Sequence, residues 1–596
     1  MFVDSWCGTV SVMASLTDAL DELRSLPSKA KQGLAFEKLM VNYFKTDPVL
    51  RSEYDEVYRW VDWPLNGGTS DQGIDLVARR REDGRWAAVQ CKFYAESTTL
   101  QKQHLDSFFE ASGRTFVNSD GNSGGGGSQF AHRLIISTTD KWSSNAESML
   151  ENQLIPTSRI GLSTIAESPI DWDIVYPGSE ISFNLTLRET YEPRPHQVTA
   201  IDKTLAGFQI HDRGKLIMAC GTGKTFTALR LAERFAEKKG GKARILFLVP
   251  SISLLSQTLK EWTAQARLDM RSYAVCSDNK VAKKAEDIAT YDLEVPVSTN
   301  GEDIYKRLSH SKRAKGLTVI FSTYQSLAAI HDAQQHGLEP FDLIICDEAH
   351  RTTGATLLGD EPSVFSRIHD ANYIAGAKRL YMTATPRLFD DNVKGKAVEH
   401  SAELYSMDDE AVYGPEFHRL GFGDAVEMGL LTDYKVLVMT VDESVAADAM
   451  ARFTGGSGQE LTLSLASAMI GAWNGVAKRS GKEQGTSSGF AIDAEPMRRT
   501  VAFAKDIKTS KEITETYPAL IRNYQSLLLE ASAVNDISLH NVDLRIAAQH
   551  VDGGMNAMQR NTKLSWLQST MPTDETRILT NARCLSEGVD VPALDA

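Results

Sequence analysis

Two sets of residues in this sequence have the types and spacing to act on phosphate groups. In the first, the apolar run KLIM (215–218) leads through ACGTGKT (219–225) into the helical stretch FTALRLAERFAE. Gly221 and Gly223, with Thr222 between them, let the backbone turn tightly so that successive N–H groups point at phosphate oxygens. The helix starting at Lys224 adds its positive end. Lys224 has the reach for β- and γ-phosphates, and Thr225 offers a hydroxyl to Mg2+. The usual pattern carries Gly or Ala where Met218 stands, so the bare motif also reads as a glycine-rich turn before a helix. Farther on, LIICDEAH sets Asp347 and Glu348 just past an apolar strand, and MTATPR does the same for Thr383 and Thr385. Ligands of a parallel sheet sit at the carboxyl ends of its strands. There Asp347 would hold Mg2+ through water, Glu348 would orient or deprotonate an attacking water, and the threonines would sense the phosphate end of a nucleotide. A solvated acidic loop is the bland alternative.

The second set lies in GIDLVARRREDGRWAAVQCKF (73–93), which reads as strand, turn at Glu82-Asp83-Gly84, and strand. Pairing about that turn sets Asp75 opposite Gln90–Lys92, and the period of two puts Gln90 and Lys92 on one face. An aspartate with a second oxygen ligand can hold Mg2+, which makes Asp75 and Gln90 the candidate ligands. The lysine can stabilise charge on a scissile phosphate. The spacing alone also describes a polar hairpin face turned to solvent. Glu37 adds to the set: in GLAFEKLMVNYF it falls among Leu34, Met40, Val41 and Phe44, on the apolar stripe. A carboxylate there is costly unless a metal or partner compensates it; a satisfied core glutamate is the competing reading.

These residues need a scaffold. A length of 596 residues is enough for about four domains. With 42% hydrophobic and 24% charged residues the composition is that of a globular protein. No run of about 18 apolar residues occurs, so no membrane span is expected. The first twelve residues lack the positive start of a secretory signal. Six cysteines (Cys7, Cys91, Cys220, Cys276, Cys346, Cys584) form no CxxC pair. That usage points to the reducing cytoplasm, with neither a zinc site nor a disulfide framework. The net charge of −14 argues weakly against nucleic acid, although local basic surfaces decide such binding.

Along the chain, residues 16–165 read as a mixed block with a helix near Gln32–Phe44 and a Gly/Ser loop at 119–129. Pro169 to Pro195 reads as a turn-rich connector. Between 190 and 395, short runs at Lys215–Met218, Ile245–Val249, Thr318–Phe321, Leu343–Cys346 and Leu380–Met382 alternate with helical stretches. This alternation predicts a parallel sheet covered on both faces. A third block begins near Tyr434 with YKVLVMTV and runs through VAFAKDI and LRIAAQHVDGG to RILTN in the same strand–helix order.

The phosphate-loop block resembles superfamily 2 helicases and translocases of the DEAH type. GTGKT is similar to their motif I, DEAH to motif II and TAT to motif III. LFLVPSISLLSQT and FSTYQSL resemble motifs Ia and Ib, VAFAKDIKTS motif IV, and TNARCLSEGVDVP motif V. Arg194-Pro195-His196-Gln197 resembles the adenine-reading motif. The likeness implies ATP with Mg2+, Gln197 on the base, Arg194 beside it, and Gly588 and Asp590 of the motif V stretch at the nucleotide. The hairpin with Glu37 resembles the Mrr-like branch of the PD-(D/E)xK nucleases. This implies Asp75 as first metal ligand, Gln90 where many members carry Glu, Lys92 as the motif lysine and Glu37 as the acid of the first helix.

The order of the two parts, with YFKTDP, DQGIDLVA, VQCKFY, LDSFFEASGR, ISTTDKWSSNAE and SPIDWD, is similar to the type I single-polypeptide (type ISP) restriction–modification enzymes from about Leu16 onward. The implied fold class is α/β: a PD-(D/E)xK nuclease-like mixed domain followed by two RecA-like parallel-sheet lobes. Expected boundaries are a disordered extension at 1–15, nuclease domain at 16–168, linker at 169–192, first lobe at 193–395, connector at 396–432 and second lobe at 433–596. The second lobe is expected to be incomplete, because no arginine-bearing motif VI follows the motif V stretch. The implied function is an ATP-dependent DNA translocase or helicase fused to a Mg2+-dependent endonuclease, acting on double-stranded DNA in restriction of foreign DNA. The likeness also implies a methyltransferase and target-recognition part, fused downstream or separate, since no NPPY- or DPPY-like motif occurs here. Competing readings are a repair helicase–nuclease, and a DNA-binding module with an inert motor.

Overall fold

The structure, a computed structural model, describes residues 10–595 except 69–72, 117–127, 177–181, 278–288, 311–314, 358–362, 391, 393–401, 434–440, 442, 453–460, 480–493, 536–539, 553–554, 556 and 583–593. Contacts divide the chain into two units, Met1–Asn279 with Ala289–Thr432, and Lys280–Ile288 with Asp433–Ala596.

The first unit begins with β1 (Val10–Ala14) and a mixed sheet of β2 (Tyr54–Arg59), β3 (Leu76–Arg80), β4 (Trp86–Lys92), β5 (His132–Ser137) and β6 (Thr157–Ile160), in that spatial order. β2, β3 and β4 pair antiparallel, whereas β4, β5 and β6 pair parallel. The helix Lys29–Thr46 covers one face. It starts at Ser28, whose hydroxyl accepts from Lys31 N, and stops at Asp47, whose carboxylate caps the next helix, Pro48–Glu53. Phe36, Leu39, Met40, Tyr43 and Phe44 recur at helical spacing and pack on Leu76, Ala78, Val89 and Ile136. The buried stripe is therefore centred on Phe36 and Leu39. Leu34 is 42% exposed, and Glu37 is half-buried at the margin of the stripe instead of within it.

Two stretches expected to be a disordered extension and a turn-rich linker are paired. β1 lies inside the supposed extension and pairs antiparallel with β7 (Ile170–Tyr176), which pairs with β8 (Ser182–Leu187). The supposed linker is thus mostly a hairpin, and its Ile170 and Trp172 belong to the nuclease-like core, with Trp172 stacked on Tyr43.

The motor sheet comprises β9 (Arg213–Met218), β10 (Lys242–Val249), β11 (Met270–Val275), β12 (Gly316–Thr323), β13 (Phe341–Cys346), β15 (Gly376–Thr383) and β17 (Glu416–Leu420). A separate small hairpin pairs β14 (Gly354–Leu357) with β16 (Ala402–Tyr405). The order of the large sheet is β11-β12-β10-β13-β15-β9-β17, parallel throughout. Central strands β10 and β13 are apolar and buried on both faces, as a sheet sandwiched between helices requires. The five strands expected from sequence all fall within it. β17 lies in the supposed connector and completes the sheet beside β9, so residues 396–432 are not simply a connection.

In the second unit β18 (Arg499–Phe503), β19 (Arg545–Val551) and β20 (Glu575–Asn581) form a parallel sheet in the order β18-β20-β19. Trp473, Tyr517, Leu520, Ile521, Ile546 and Ile578 build its core, with the helix Ile507–Asn535 running through Pro518. The start expected at residues 434–440 lies outside the described residues.

Within the first unit the nuclease-like sheet and the motor sheet are joined by buried and partly buried ion pairs. Arg159 of β6 pairs with Asp292 at 2.7 Å and Glu147 at 3.0 Å. Lys260 of the motor helix Ile252–Gln265 lies 3.2 Å from both Glu167 and Glu294. Arg307 pairs with Glu82 at 3.0 Å, beside the Arg80–Glu53 pair at 3.2 Å.

Candidate nuclease and nucleotide sites

In the hairpin, Leu76 pairs with Val89, so Asp75 falls opposite Gln90 at the open end. Asp75 N donates to Val89 O (3.0 Å), and Cys91 N donates to Asp75 Oδ2 (2.6 Å). The alternation that turns Val89 and Cys91 toward the helix Lys29–Thr46 turns Gln90 and Lys92 to the other face. Gln90 is 3% exposed. Its Nε2 donates to Gly73 O at 3.1 Å, and among the described residues its Oε1 is buried with no partner. A carbonyl can only accept, so the Gly73 contact fixes which end of the amide is nitrogen. A buried acceptor left alone is unfavourable unless something positive meets it. With Asp75 it supplies the hard oxygen donors that suit Mg2+. Among the described residues no group of three or more His, Cys, Asp or Glu side chains gathers for a metal, so an ion here would rest on a carboxylate, an amide oxygen and water.

Lys92 is half-buried and pairs in register with Ser137 of β5. Glu37 comes from the helix on the opposite face. Burial holds the Cys91 thiol well above its ordinary pKa; Asp75 and then Glu37 push it further up, and Lys92 opposes them. The fold thus brings Asp75, Gln90 and Lys92 onto one face, with Glu37 near enough to be felt from behind.

The nucleotide site is assembled by strand order. Adjacency of β13, β15 and β9 brings the loops at 347–348, 383–385 and 219–225 to one edge of the sheet. Gly221 and Gly223 both take φ of +80°, which an L side chain rarely adopts, and a Cβ at Gly223 would run into the Gln197 amide nitrogen. Helix Lys224–Lys238 starts at this turn. The loop is held from above: His196 Nε2 donates to Thr222 O at 3.0 Å and Gln197 Nε2 to the same oxygen at 3.3 Å. Gln197 Oε1 accepts from Arg194 N at 2.8 Å. Thr222 Oγ1 donates to Ala219 O (2.7 Å), and Thr225 O accepts from Trp262 Nε1 (3.1 Å).

Asp347 is buried, and burial followed by Glu348 holds its carboxyl above the usual range while Lys224 opposes them. Glu348 takes the left-handed φ of +46°, and its N–H donates to Asp347 Oδ1 at 2.9 Å. His350 Nδ1 lies 3.0 Å from Thr383 Oγ1 and 3.4 Å from the Glu348 carboxylate. Thr385 N donates to Thr383 Oγ1 at 3.2 Å. Gly588 and Asp590 lie outside the described residues. Sequence reasoning gave no role to His196, although it stands beside Gln197, and did not foresee the His350–Thr383 contact, which joins loops 33 residues apart.

One further constellation imitates a hydrolase. Ser510 Oγ lies 2.7 Å from His550 Nδ1, and His550 Nε2 lies 2.8 Å from Asp552 Oδ2. Ser510 is fully buried and also donates to Thr580 Oγ1, so the array ties the long helix to β19 and β20 and offers no substrate an approach.

Residues 45–182 match the restriction endonuclease family, and residues 190–388 match the res subunit family of type III restriction enzymes. The solved structure of the ATP-dependent type ISP restriction–modification enzyme LlaBIII, bound to DNA, is 35% identical, covers 97% of this chain and superposes with a TM-score of 0.78. The nuclease and motor domains are of the type ISP kind. The likeness to LlaBIII extends across both units. The endonuclease subunit of the type I enzyme EcoAI of Escherichia coli is 26% identical over 255 residues, 42% of this chain and 24% of that protein. The probable helicase A859L of African swine fever virus (isolate Tick/Malawi/Lil 20-1/1983) is 26% identical over 412 residues, 69% of this chain and 37% of that protein. The chain spans about a third of the length of LlaBIII, 35%. No helix among the described residues is long and apolar enough to cross a membrane.

Proposed function

We propose that this chain is the cutting and driving part of a restriction enzyme, coupling ATP hydrolysis on the motor sheet to cleavage of double-stranded DNA at the Asp75–Gln90–Lys92 face. The observation that carries the reading is the buried, unpartnered Gln90 Oε1 across the hairpin from Asp75. A divalent ion held by these two residues would supply Lewis acidity at a phosphodiester. Lys92 would stabilise charge building on the scissile phosphate, and Glu37 would add negative field from the opposite side of the sheet. On the motor, Gly221–Thr225 would cradle the phosphates, Asp347 and Thr225 would face the magnesium, Glu348 would take a proton from water, and Thr383 and Thr385 would face the γ-phosphate. Gln197 would read the adenine.

Double-stranded DNA as partner is supported by the DNA-bound LlaBIII structure, about a third of which this chain covers, 35%. Methylation and target recognition belong, in this reading, to a further part of the protein or to a partner. The deciding experiment compares plasmid cleavage with DNA-stimulated ATP hydrolysis in parent, Asp75→Ala and Lys92→Ala proteins, in Mg2+ with and without ATP. Cleavage lost by at least about a hundredfold with hydrolysis intact is expected, since one electrostatic stabiliser is typically worth that much. Full cleavage by either variant would overturn the nuclease assignment, and equal loss of both activities would overturn the separation of the two sites.

A further inference from the structure

Tyr324 stands at the end of β12, and β10 lies between β12 and β13 in the sheet. Its side chain nevertheless reaches β13. The hydroxyl donates to Asp347 O at 2.8 Å, the residue is 0% exposed, and its ring stacks on Phe365 with centroids 5.2 Å apart. The next residue, Gln325, donates through Nε2 to Pro250 O at 3.1 Å, immediately after β10. Two consecutive side chains therefore fasten the carboxyl ends of β10 and β13.

A buried tyrosine hydroxyl needs a partner, but that requirement does not select this carbonyl. The Asp347–Glu348 peptide it grips precedes a glutamate in the left-handed region (φ +46°, ψ +46°), a conformation that persists in a non-glycine residue only where its surroundings impose it. The N–H of the same peptide is held by Asp347 Oδ1 at 2.9 Å. Both ends of one peptide plane are thus fixed, the oxygen by Tyr324 and the N–H by the carboxylate it adjoins. Rotation of that plane would swing Asp347 away from Lys224 and Glu348 away from His350.

We propose that Tyr324 is a positioning residue for ATP hydrolysis, holding the Asp347–Glu348 peptide in the left-handed turn that carries both carboxylates, with Gln325 anchoring the Tyr324–Ser326 turn to the segment after β10. The inference rests on the nucleotide reading given above. Its distinguishing mark is an effect on turnover without one on nucleotide affinity.

Tyr324→Phe keeps the ring, its burial and its contact with Phe365, and removes only the hydroxyl. With the enzyme in excess over ATP, and DNA present, its hydrolysis rate should fall about five- to tenfold, the weight of one preorganised hydrogen bond. ATP affinity, measured by titration in Mg2+, should stay within about twofold. Placed on Glu348→Gln, the same change should cost much less than it does in the parent, because the carboxylate whose position it sets is already gone. A Tyr324→Phe rate equal to the parent's, or weakened ATP binding with an unchanged rate, would overturn the proposal. So would an independent loss in the Glu348→Gln background. A purely structural role would lower the denaturation midpoint and leave the rate per folded molecule unchanged, which also overturns it. A parent chain no faster than Glu348→Gln would instead sink the nucleotide reading, and the inference with it.

Discussion

Arg159 on β6 and Asp292 in the turn after β11 form an ion pair of 2.7 Å, with their side chains 0% and 2% exposed. The guanidinium lies between the rings of Trp142 and Tyr291, and burial outweighs Arg159 in setting the Asp292 carboxyl above its usual pKa. Such a pair contributes little over an apolar replacement, but removing Asp292 leaves the buried guanidinium with only the partly exposed Glu147 to answer it. Asp292→Ala should therefore destabilise the first unit by about 3–5 kcal/mol, while Arg159→Met with Asp292→Leu should recover most of that loss. Urea denaturation followed by tryptophan fluorescence checks both; equal losses in the single and double variants would contradict the argument.

The neighbouring cluster gives a pH dependence. Glu294 is pushed up to about 7, chiefly by burial, with Lys260 opposing and Asp47 reinforcing the shift; Glu167 also faces the lysine. Unfolded, this carboxyl loses its proton near pH 4.5, so between 4.5 and 7 the native state binds the extra proton. Stability then falls as pH rises through that window and levels off above it. Glu294→Gln mimics the protonated form, so it should match the parent near pH 4.5 and exceed it by about 3 kcal/mol at pH 8. Parallel denaturation curves at the two pH values test this, and a gain of the same size at both would refute it.

Gln90 should matter for metal affinity more than for folding. Gln90→Leu removes an acceptor that no group among the described residues satisfies, but also the donor to Gly73 O. We expect stability to change by about 1 kcal/mol or less, Mn2+ binding by calorimetry to weaken at least tenfold, and Gln90→Glu to tighten it by adding charge beside Asp75. Unchanged Mn2+ affinity in Gln90→Leu would remove the amide from the ligand set.

Lys224→Ala and Glu348→Gln should separate binding from turnover. The first removes a cation beside the phosphate loop and should abolish detectable nucleotide binding. The second leaves the loop, Asp347 and Lys224 in place and should retain binding while losing hydrolysis by about a hundredfold or more. Retained binding in Lys224→Ala would place the nucleotide elsewhere.

The local geometry of both candidate sets was readable because it is set by near neighbours: a strand, a turn and a face fixed by the period of two, or a loop between a strand and a helix. What escaped was set by partners distant in the chain. β17 joins β9 across about two hundred residues, and Arg159 meets Asp292 across 133. The hairpin of β7 and β8 did carry a signal. IDWDIV alternates apolar and acidic residues at period two, but the flanking Pro and Gly residues outweighed it. Glu37 was set too deep because the stripe was drawn through Leu34, whereas Phe36 and Leu39 occupy the centre.

The amide of Gln197 is engaged at both ends before any base arrives, Oε1 by Arg194 N and Nε2 by Thr222 O. Each end keeps a second position, one N–H and one lone pair, so an adenine would meet an amide already oriented by the protein. An amide held in this way penalises a base whose edge presents donors and acceptors in the opposite order. Gln197 should accordingly act as a discriminator among nucleoside triphosphates, its removal narrowing the gap between ATP and GTP more than it weakens ATP.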